Sequence, residues 1–410
     1  MIPLDGLPFP PGGAAPALLR GVRVIDLTTS IAAPYATLIL GDLGAEVIKI
    51  EKPKGGDDSR AWGPPFLDGE SLWYLSVNRN KKSVALDYST EEGLSALYRL
   101  IEKCDVLILN VVPRVQQKLG IDYAKVKALR PDIIFVSVTG FGATGARANQ
   151  SSYDLIAEGY SGVMDITGEA DSPPQKVGTP AADLLAGMDA AMSAIAALFD
   201  RARTGEGHLV DISMIESMTR FLTPRIVTYL GSGEIPRRTG AKDSVIAIYQ
   251  AFETADLPIT IGLGNDGIWR RFWAAMGDES FGADPRFASN AGRREHRDEI
   301  VARISALVAA EPRSHWLKVF QEARIPAGPI NRIDEISADS DLIDRGFFYR
   351  MRRGATEVPQ VGLGISFDGQ PHVPGAPPPM LGEHSDAILE GVAGIAKPEI
   401  ASLRAKGVVA

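Results

Sequence analysis

Two periodicities exchange regularly over residues 22–138 of this 410-residue chain, and that exchange is its strongest constraint on fold. Short apolar, β-branched runs occur at Val22–Leu27, Glu46–Ile50, Ser83–Leu86, Val106–Leu109 and Ile133–Val138. Stretches of helical spacing separate them, among them Ala36–Leu43, which stops at Gly44, and Glu91–Glu102. Parallel strands need a long crossover between them, and a helix lying on the sheet supplies it while covering an apolar face. This half of the chain is expected to form an α/β domain around a parallel sheet.

The texture changes further on. Asp183–Ala202 and Ile212–Tyr229 read as two long helices. After Gly231, strand-like Ser244–Phe252 and Pro258–Ile261 are followed by helical Gly267–Met276, Arg297–Val308 and Ser314–Ala323, a smaller α+β unit. From Val358 a Pro/Gly-rich stretch runs through Pro379, suited to wrapping over another surface, and a helix starts at Ser385. The expected division is a loose arm over 1–17, a large domain over 18–225, the small domain with its linkers over 226–330, and a linker returning to the large domain over 331–410.

Composition removes several classes of function. The net charge of −8 disfavours a nucleic-acid protein, which must collect Lys and Arg on one face. The longest apolar runs, such as Ala190–Phe199, fall short of the ~20 residues of a membrane span. No signal peptide is visible at the start, so a cytoplasmic location is expected. The single cysteine, Cys104, excludes internal disulfides and is expected to be buried. The five histidines show no metal-ligand spacing, so no metal is expected. The dinucleotide pattern G-x-G-x-x-G occurs at Gly140-Gly142-Gly145 and at Gly262-Gly264-Gly267. The first is not followed directly by a helix. The second lacks a strand-end acid about 20 residues on, where Gly282–Pro285 reads as a turn. Both are better explained as tight glycine turns.

Asp183-Leu-Leu-Ala-Gly-Met-Asp189 is more informative. An acidic residue opens a helix of small and apolar residues, where free N–H groups and the helix dipole would keep it ionised. An ordinary N-cap is one reading. The other is a nucleophile with room beside it for a ligand, because a buried carboxylate without a basic neighbour needs a reason to be there.

Over residues 18–385 the chain resembles the class III CoA-transferases, the formyl-CoA and carnitine CoA-transferase family that includes α-methylacyl-CoA racemase. The resemblance is carried by Leu19–Leu27, Asp42–Glu51, Gly56–Arg60, Trp62–Pro65, Asn78–Ser83, Ser137–Gly142, Gly262–Asn265 and Ile325–Asn331. It implies a Rossmann-like parallel-sheet large domain, a smaller α+β domain and an interlocked-ring homodimer. It implies no permanently bound cofactor, with coenzyme A thioesters as substrates. The family's nucleophilic aspartate falls on Asp183. Its CoA contacts fall on Ile31, Ala32, Lys52, Asn80, Lys81, Leu86 through Ser89, Asn110, Lys118, Ser151 and Tyr153, and Met214 falls where the pantetheine arm packs. The substrate pocket falls on Arg60, Trp62, Trp73, Tyr153, Asp154, Gly140, Gly142 and Gly240.

Two departures bear on the reaction. The racemase histidine falls on Tyr153, a poor proton shuttle at neutral pH, which favours a transferase over an epimerase. The mobile glycine-rich loop of formyl-CoA transferases is reduced to Thr239-Gly240-Ala241-Lys242-Asp243, which makes an oxalate-type substrate less expected. The 55–66 and 74–82 segments look most like the succinyl-CoA:dicarboxylate branch, typified by the glutarate enzyme. Arg60 is then a partner for a second carboxylate or, equally, a structural salt bridge to Asp57 or Asp58. The Gly140–Gly145 loop is a candidate source of oxyanion-stabilising N–H groups. A non-catalytic CoA-binding protein is the remaining alternative.

Overall fold

The computed structural model describes residues 3–10, 17–369 and 374–410. The chain divides into two compact units, one of Met1–Val163, Lys176–Val227 and Asp339–Ala410, the other of Met164–Gln175 and Thr228–Ala338. The segment Met164–Gln175, expected within 18–225, thus groups with the second unit.

The first unit is built on six strands: β1 (Arg23–Leu27), β2 (Glu46–Glu51), β3 (Lys81–Ala85), β4 (Val106–Leu109), β5 (Ile134–Thr139) and β6 (His208–Ser213). They run in the order β3-β2-β1-β4-β5-β6 with every neighbouring pair parallel. Strand order reverses between β1 and β4, and such a switch opens a crevice at the strands' carboxyl ends. The sixth strand corrects the expected helix over Ile212–Tyr229. His208–Ser213 pairs with β5, and the helix starts only at Met214.

Ile25, Ile48 and Leu107 lie on adjacent strands and join one apolar core. Helix α2 (Glu91–Ile101) adds Leu97 and Leu100; its N-cap Thr90 accepts the Gly93 N–H at 3.1 Å, closing the first turn. Ser385–Gly391 and Lys397–Ala405 bring Leu389, Ile400 and Leu403 back onto the same core. Cys104 is wholly buried there, and burial pushes its thiol up, away from reactivity.

Helix α1 (Ala32–Asp42) packs along the 24-residue helix Ala181–Thr204. Gly187 makes this possible, since a Cβ there would collide with the Ala32 carbonyl and press on Tyr35. The small residue serves helix approach rather than ligand room. By length and composition this long helix could cross a bilayer, which counting uninterrupted apolar runs had missed; half of it is buried inside the protein.

The arm expected to be loose is fastened over residues 3–10. Pro3–Gly6 forms a 3₁₀ turn, the Pro8 carbonyl accepts the Arg350 N–H at 2.9 Å, and the Phe9 ring lies 4.7 Å from the Arg350 guanidinium. Residues 11–16 of that arm, and 370–373 of the Pro/Gly-rich stretch, lie outside the described residues. Arg350 belongs to a hairpin, Phe348–Arg353 with Thr356–Val361, that the sequence analysis did not anticipate.

The second unit holds an antiparallel three-stranded sheet of Tyr249–Phe252, Ile259–Gly262 and Ala327–Pro329. Trp269, Phe272, Trp273, Phe287, Trp316 and Phe320 fill its core. The strand expected from Ser244 starts only at Tyr249, because the Val245 and Ile246 N–H groups turn back to the Asp243 carboxylate at 2.7 and 2.8 Å. The Gly262 motif ends an antiparallel strand, and Asn265 caps the following helix at 2.9 Å, so no βαβ unit exists there.

Candidate active site

Most residues singled out from sequence gather at the carboxyl edge of the parallel sheet. Ile31 and Ala32 follow β1, Lys52 follows β2, and Leu86 through Ser89 follow β3. Asn110 follows β4, Gly140 and Gly142 follow β5, and Met214 follows β6. This edge is where an open α/β sheet binds its ligands.

The switch point itself is built rigidly. The Asn110 amide clamps Thr29, accepting its N–H at 3.1 Å and donating to its carbonyl at 2.8 Å. Ser30 sits at φ 72° and donates its N–H to Asp57 at 3.0 Å. Beneath this loop Lys49 is fully buried, donates to the Thr28 carbonyl at 2.8 Å and pairs with Asp57 at 2.8 Å. Burial opposes its charge, but Asp26, Asp57 and Glu51 hold the ammonium above its ordinary range. Two hydrogen-bonded anchors and a buried ion pair therefore fix the backbone that leads into α1.

That loop ends at Ile31, which packs with Leu38 and Val77 and draws Trp62 and Leu184 into the same small cluster. Leu184 adjoins Asp183. The Trp62 ring meets Trp73 edge-on at 6.0 Å, and Trp73 keeps 44% of its surface exposed, so this aromatic pair borders open space.

Asp183 is the third residue of the helix Ala181–Thr204, and Pro180 occupies the cap position. The capping group comes from helix α4 (Asp154–Ser161), where we number α3 as Pro113–Leu119. The Asp154 carboxylate accepts the N–H groups of Ala182 at 2.9 Å and Asp183 at 3.3 Å. The N-cap reading of Asp183 is thereby overturned. So is the expectation that free N–H groups keep it ionised, since Asp154 uses two of them. No hydrogen bond reaches the Asp183 carboxyl among the described residues. Burial, reinforced by the negative Asp154, raises it from 3.8 to about 7.

Several assigned residues are engaged within the fold. The Lys81 ammonium is fully buried, bonded to the Pro34 carbonyl and to Asn78 and paired with Asp26 at 3.2 Å; burial draws it down to about 8. Asn80 holds the Gly375 and Ala376 N–H groups at 2.8 and 2.6 Å and donates to Asp42. Leu86 is fully buried core. Arg60 grips Glu51 with two hydrogen bonds of 2.7 and 2.8 Å and lies over the Tyr74 ring. It is a structural arginine, and its partner is Glu51 rather than Asp57 or Asp58. The Ala143 N–H goes to both Asp211 oxygens, which removes one donor from the glycine loop as an oxyanion site.

The remaining residues are placed as follows. Lys52 is exposed and pairs with Asp58 at 3.2 Å; Ser89 bonds Asp87 in an exposed turn. Met214 is buried at the start of α6 (Met214–Phe221), where α5 denotes Ala181–Thr204. Gly140 must lack a Cβ because Ser152 occupies that space, which holds the glycine loop against Ser151–Tyr153. Tyr153 is 68% exposed, too open for a shielded proton shuttle. Gly240 lies in the second unit, its N–H bonded to the Gly168 carbonyl at 2.9 Å. Lys118 is exposed on α3. Arg114, one turn earlier on the same face and also exposed, was missed by sequence reasoning, although its i, i+4 spacing from Lys118 could have found it. No acid pairs with either among the described residues.

The chain is similar to known proteins. The model of the CoA-transferase family III matches residues 19–385. A succinyl-CoA:glutarate CoA-transferase of Mus musculus is 36% identical over 95% of this chain and 90% of its own length. A succinate–glutarate CoA-transferase of Agrobacterium fabrum is 38% identical over 90% of this chain and 94% of its own. The crystal structure of a CAIB/BAIF family protein from Brucella suis superposes with a TM-score of 0.80 at 35% identity, covering 91% of this chain and 99% of that one.

Proposed function

Because the chain belongs to CoA-transferase family III, we propose that it moves CoA from a donor such as succinyl-CoA to a dicarboxylic acid through a covalent intermediate on Asp183. The observation that carries this reading is the Asp183 carboxyl itself: half-buried, without a hydrogen-bond partner among the described residues, and raised to about 7. A carboxylate stripped of donors is a stronger nucleophile than a solvated one, and near neutral pH a large fraction is ionised.

Each step exchanges one acyl bond for another. Asp183 attacks the donor thioester carbonyl and expels CoA thiolate, leaving an aspartyl–acyl anhydride. The thiolate attacks the Asp183 carbonyl, releasing the donor acid and forming an aspartyl–CoA thioester. The acceptor carboxylate displaces CoA thiolate from it, giving a second anhydride. The thiolate then takes the acceptor acyl group, and free Asp183 returns. Protons balance throughout, since every attacking group and every leaving group is an anion.

The dicarboxylate preference rests on the glutarate-acting relatives, and Arg60 is not its basis, because Glu51 occupies that guanidinium. Lys118 and Arg114, which no acid pairs among the described residues, supply positive charge suited to the CoA phosphates. Self-association belongs to the same proposal. Met188, Met192 and Phe199 line one exposed face of α5, an apolar stripe that a second copy would cover in a homodimer. Light scattering at micromolar concentration tests this, and a monomer refutes it.

For the chemistry, incubation with succinyl-CoA alone should leave a mass adduct on the Asp183 peptide that hydroxylamine removes. A panel of free-acid acceptors read by mass spectrometry should rank dicarboxylates first. Acyl transfer without any adduct on Asp183 would refute the covalent route.

A further inference from the structure

Helix α4 carries a second carboxyl that the transfer chemistry does not use. Glu158 lies one turn after Asp154 and has no solvent exposure. Its Oε2 accepts the Val177 N–H at 2.9 Å, while its Oε1 is buried and has no hydrogen-bond partner among the described residues. The charged groups around it do not neutralise it. Asp154 beside it is acidic, and Lys176 donates to its own neighbour's carbonyl, that of Val177, at 2.8 Å. Helix α6, packed on α4, contributes Glu216 and Arg220, and Arg220 is engaged by Asp189. Asp183, beyond Asp154, is a further acid.

A buried carboxylate with one oxygen unsatisfied and acids for neighbours is costly as an anion. Protonation removes the cost and turns the orphaned oxygen into a donor. The acceptor within reach is Asp154, at the i−4 position on the same helical face. We propose that Glu158 is a positioning residue that carries a proton and donates it as a hydrogen bond to Asp154, holding that carboxylate against the first turn of the helix that presents Asp183. Burial, followed by the neighbouring Asp154, moves the Glu158 carboxyl upward, in the direction this requires.

The arrangement explains how Asp154 can be both cap and acid. Its Oδ1 serves two backbone N–H groups. A donor from Glu158 fixes the carboxylate's rotation. The carboxylate beside Asp183 is thereby held in place, and with it the neighbour that adds to the raising of Asp183.

The consequence for the reaction rests on the function proposed above, but the protonation state does not. In infrared difference spectra at pH 6 the Asp183 carboxyl, protonated in both proteins, cancels, and the wild type minus Glu158→Gln should leave one further C=O stretch of a protonated carboxyl from the wild type. Glutamine reproduces both bonds, its Oε1 accepting from Val177 and its Nε2 donating to Asp154. Glu158→Leu removes the donor and should lower kcat about tenfold and displace the acid limb of the pH profile, with KM for acyl-CoA within about twofold. Glu158→Gln should rescue both kcat and the limb. Absence of the carboxyl band, or a Gln variant as impaired as Leu, would overturn the proposal. If the Leu variant does not fold, the band and the Gln kinetics still decide it. Failure of Asp183 to form an adduct would sink the covalent mechanism while leaving the infrared result standing.

Discussion

Asp183→Asn is expected to stabilise the fold while abolishing turnover, and the stabilisation should depend on pH. In the folded chain burial, with Asp154 adding to it, lifts this carboxyl from 3.8 to about 7. Between those two values the native state holds a proton that the unfolded chain has already released. Native stability must therefore fall as pH rises through that window, by ~1.4 kcal/mol per pH unit. Above pH 7 the accumulated deficit is about 4 kcal/mol. Asparagine is uncharged and of the same shape, and Asp154 still caps the helix, so the variant should lack only this penalty. Urea unfolding at fixed protein concentration should give nearly equal stabilities at pH 4, a gain for the variant at pH 6, and a gain of about 4 kcal/mol at pH 8. The wild-type kcat/KM should rise about tenfold per pH unit on its acid limb and level off near the Asp183 value of about 7, since only the anion attacks. The variant's kcat should fall by about three orders of magnitude or more, the scale seen when a covalent nucleophile is lost. A stability difference that ignores pH, or a destabilised variant, would refute the reasoning.

Arg60→Ala breaks a buried pair with Glu51 and should cost about 3–5 kcal/mol in unfolding experiments, while leaving the preference for dicarboxylates over monocarboxylates unchanged in competition assays. Gly187→Val forces α1 away from α5 and should lower stability by about 1–3 kcal/mol, read by urea titration. Lys118→Ala and Arg114→Ala should each raise KM for acyl-CoA about fivefold, equivalent to about 1 kcal/mol, with the effect fading at high salt. An unchanged KM for both would remove α3 from the CoA site.

The parallel sheet was legible because its central strands are buried on both sides and read as continuous apolar runs. Strand β6 was not, because an edge strand half in solvent looks polar and short, and Ile212 before Met214 could equally begin a helix. The hairpin over 348–361 escaped for a similar reason: Arg350, Arg352 and Glu357 interrupt its pattern. Asp183 could be singled out from its place at the head of an apolar helix, but what makes it reactive could not. Its cap comes from Asp154, 29 positions earlier, through a contact with no local signature. The ion pairs of Lys81 and Arg60 were illegible on the same ground. A sequence shows a cation but not its depth, and at zero to 10% side-chain exposure each cation is already matched by an acid from another strand. The charges that this unit buries therefore divide by pairing. Lys49, Lys81 and Arg60 face opposite charges and hold the switch-point scaffold in place, whereas Asp183 faces only Asp154. A fold that pairs these buried cations with acids but sets Asp183 beside the like-charged Asp154 places an unfavourable electrostatic term at the reacting carboxyl. Attack on a thioester carbonyl relieves that cost, because acylation discharges the carboxylate. The reaction's first step is therefore favoured by the same free energy that the fold loses at pH 8, and a stabilised Asp183→Asn would measure it directly.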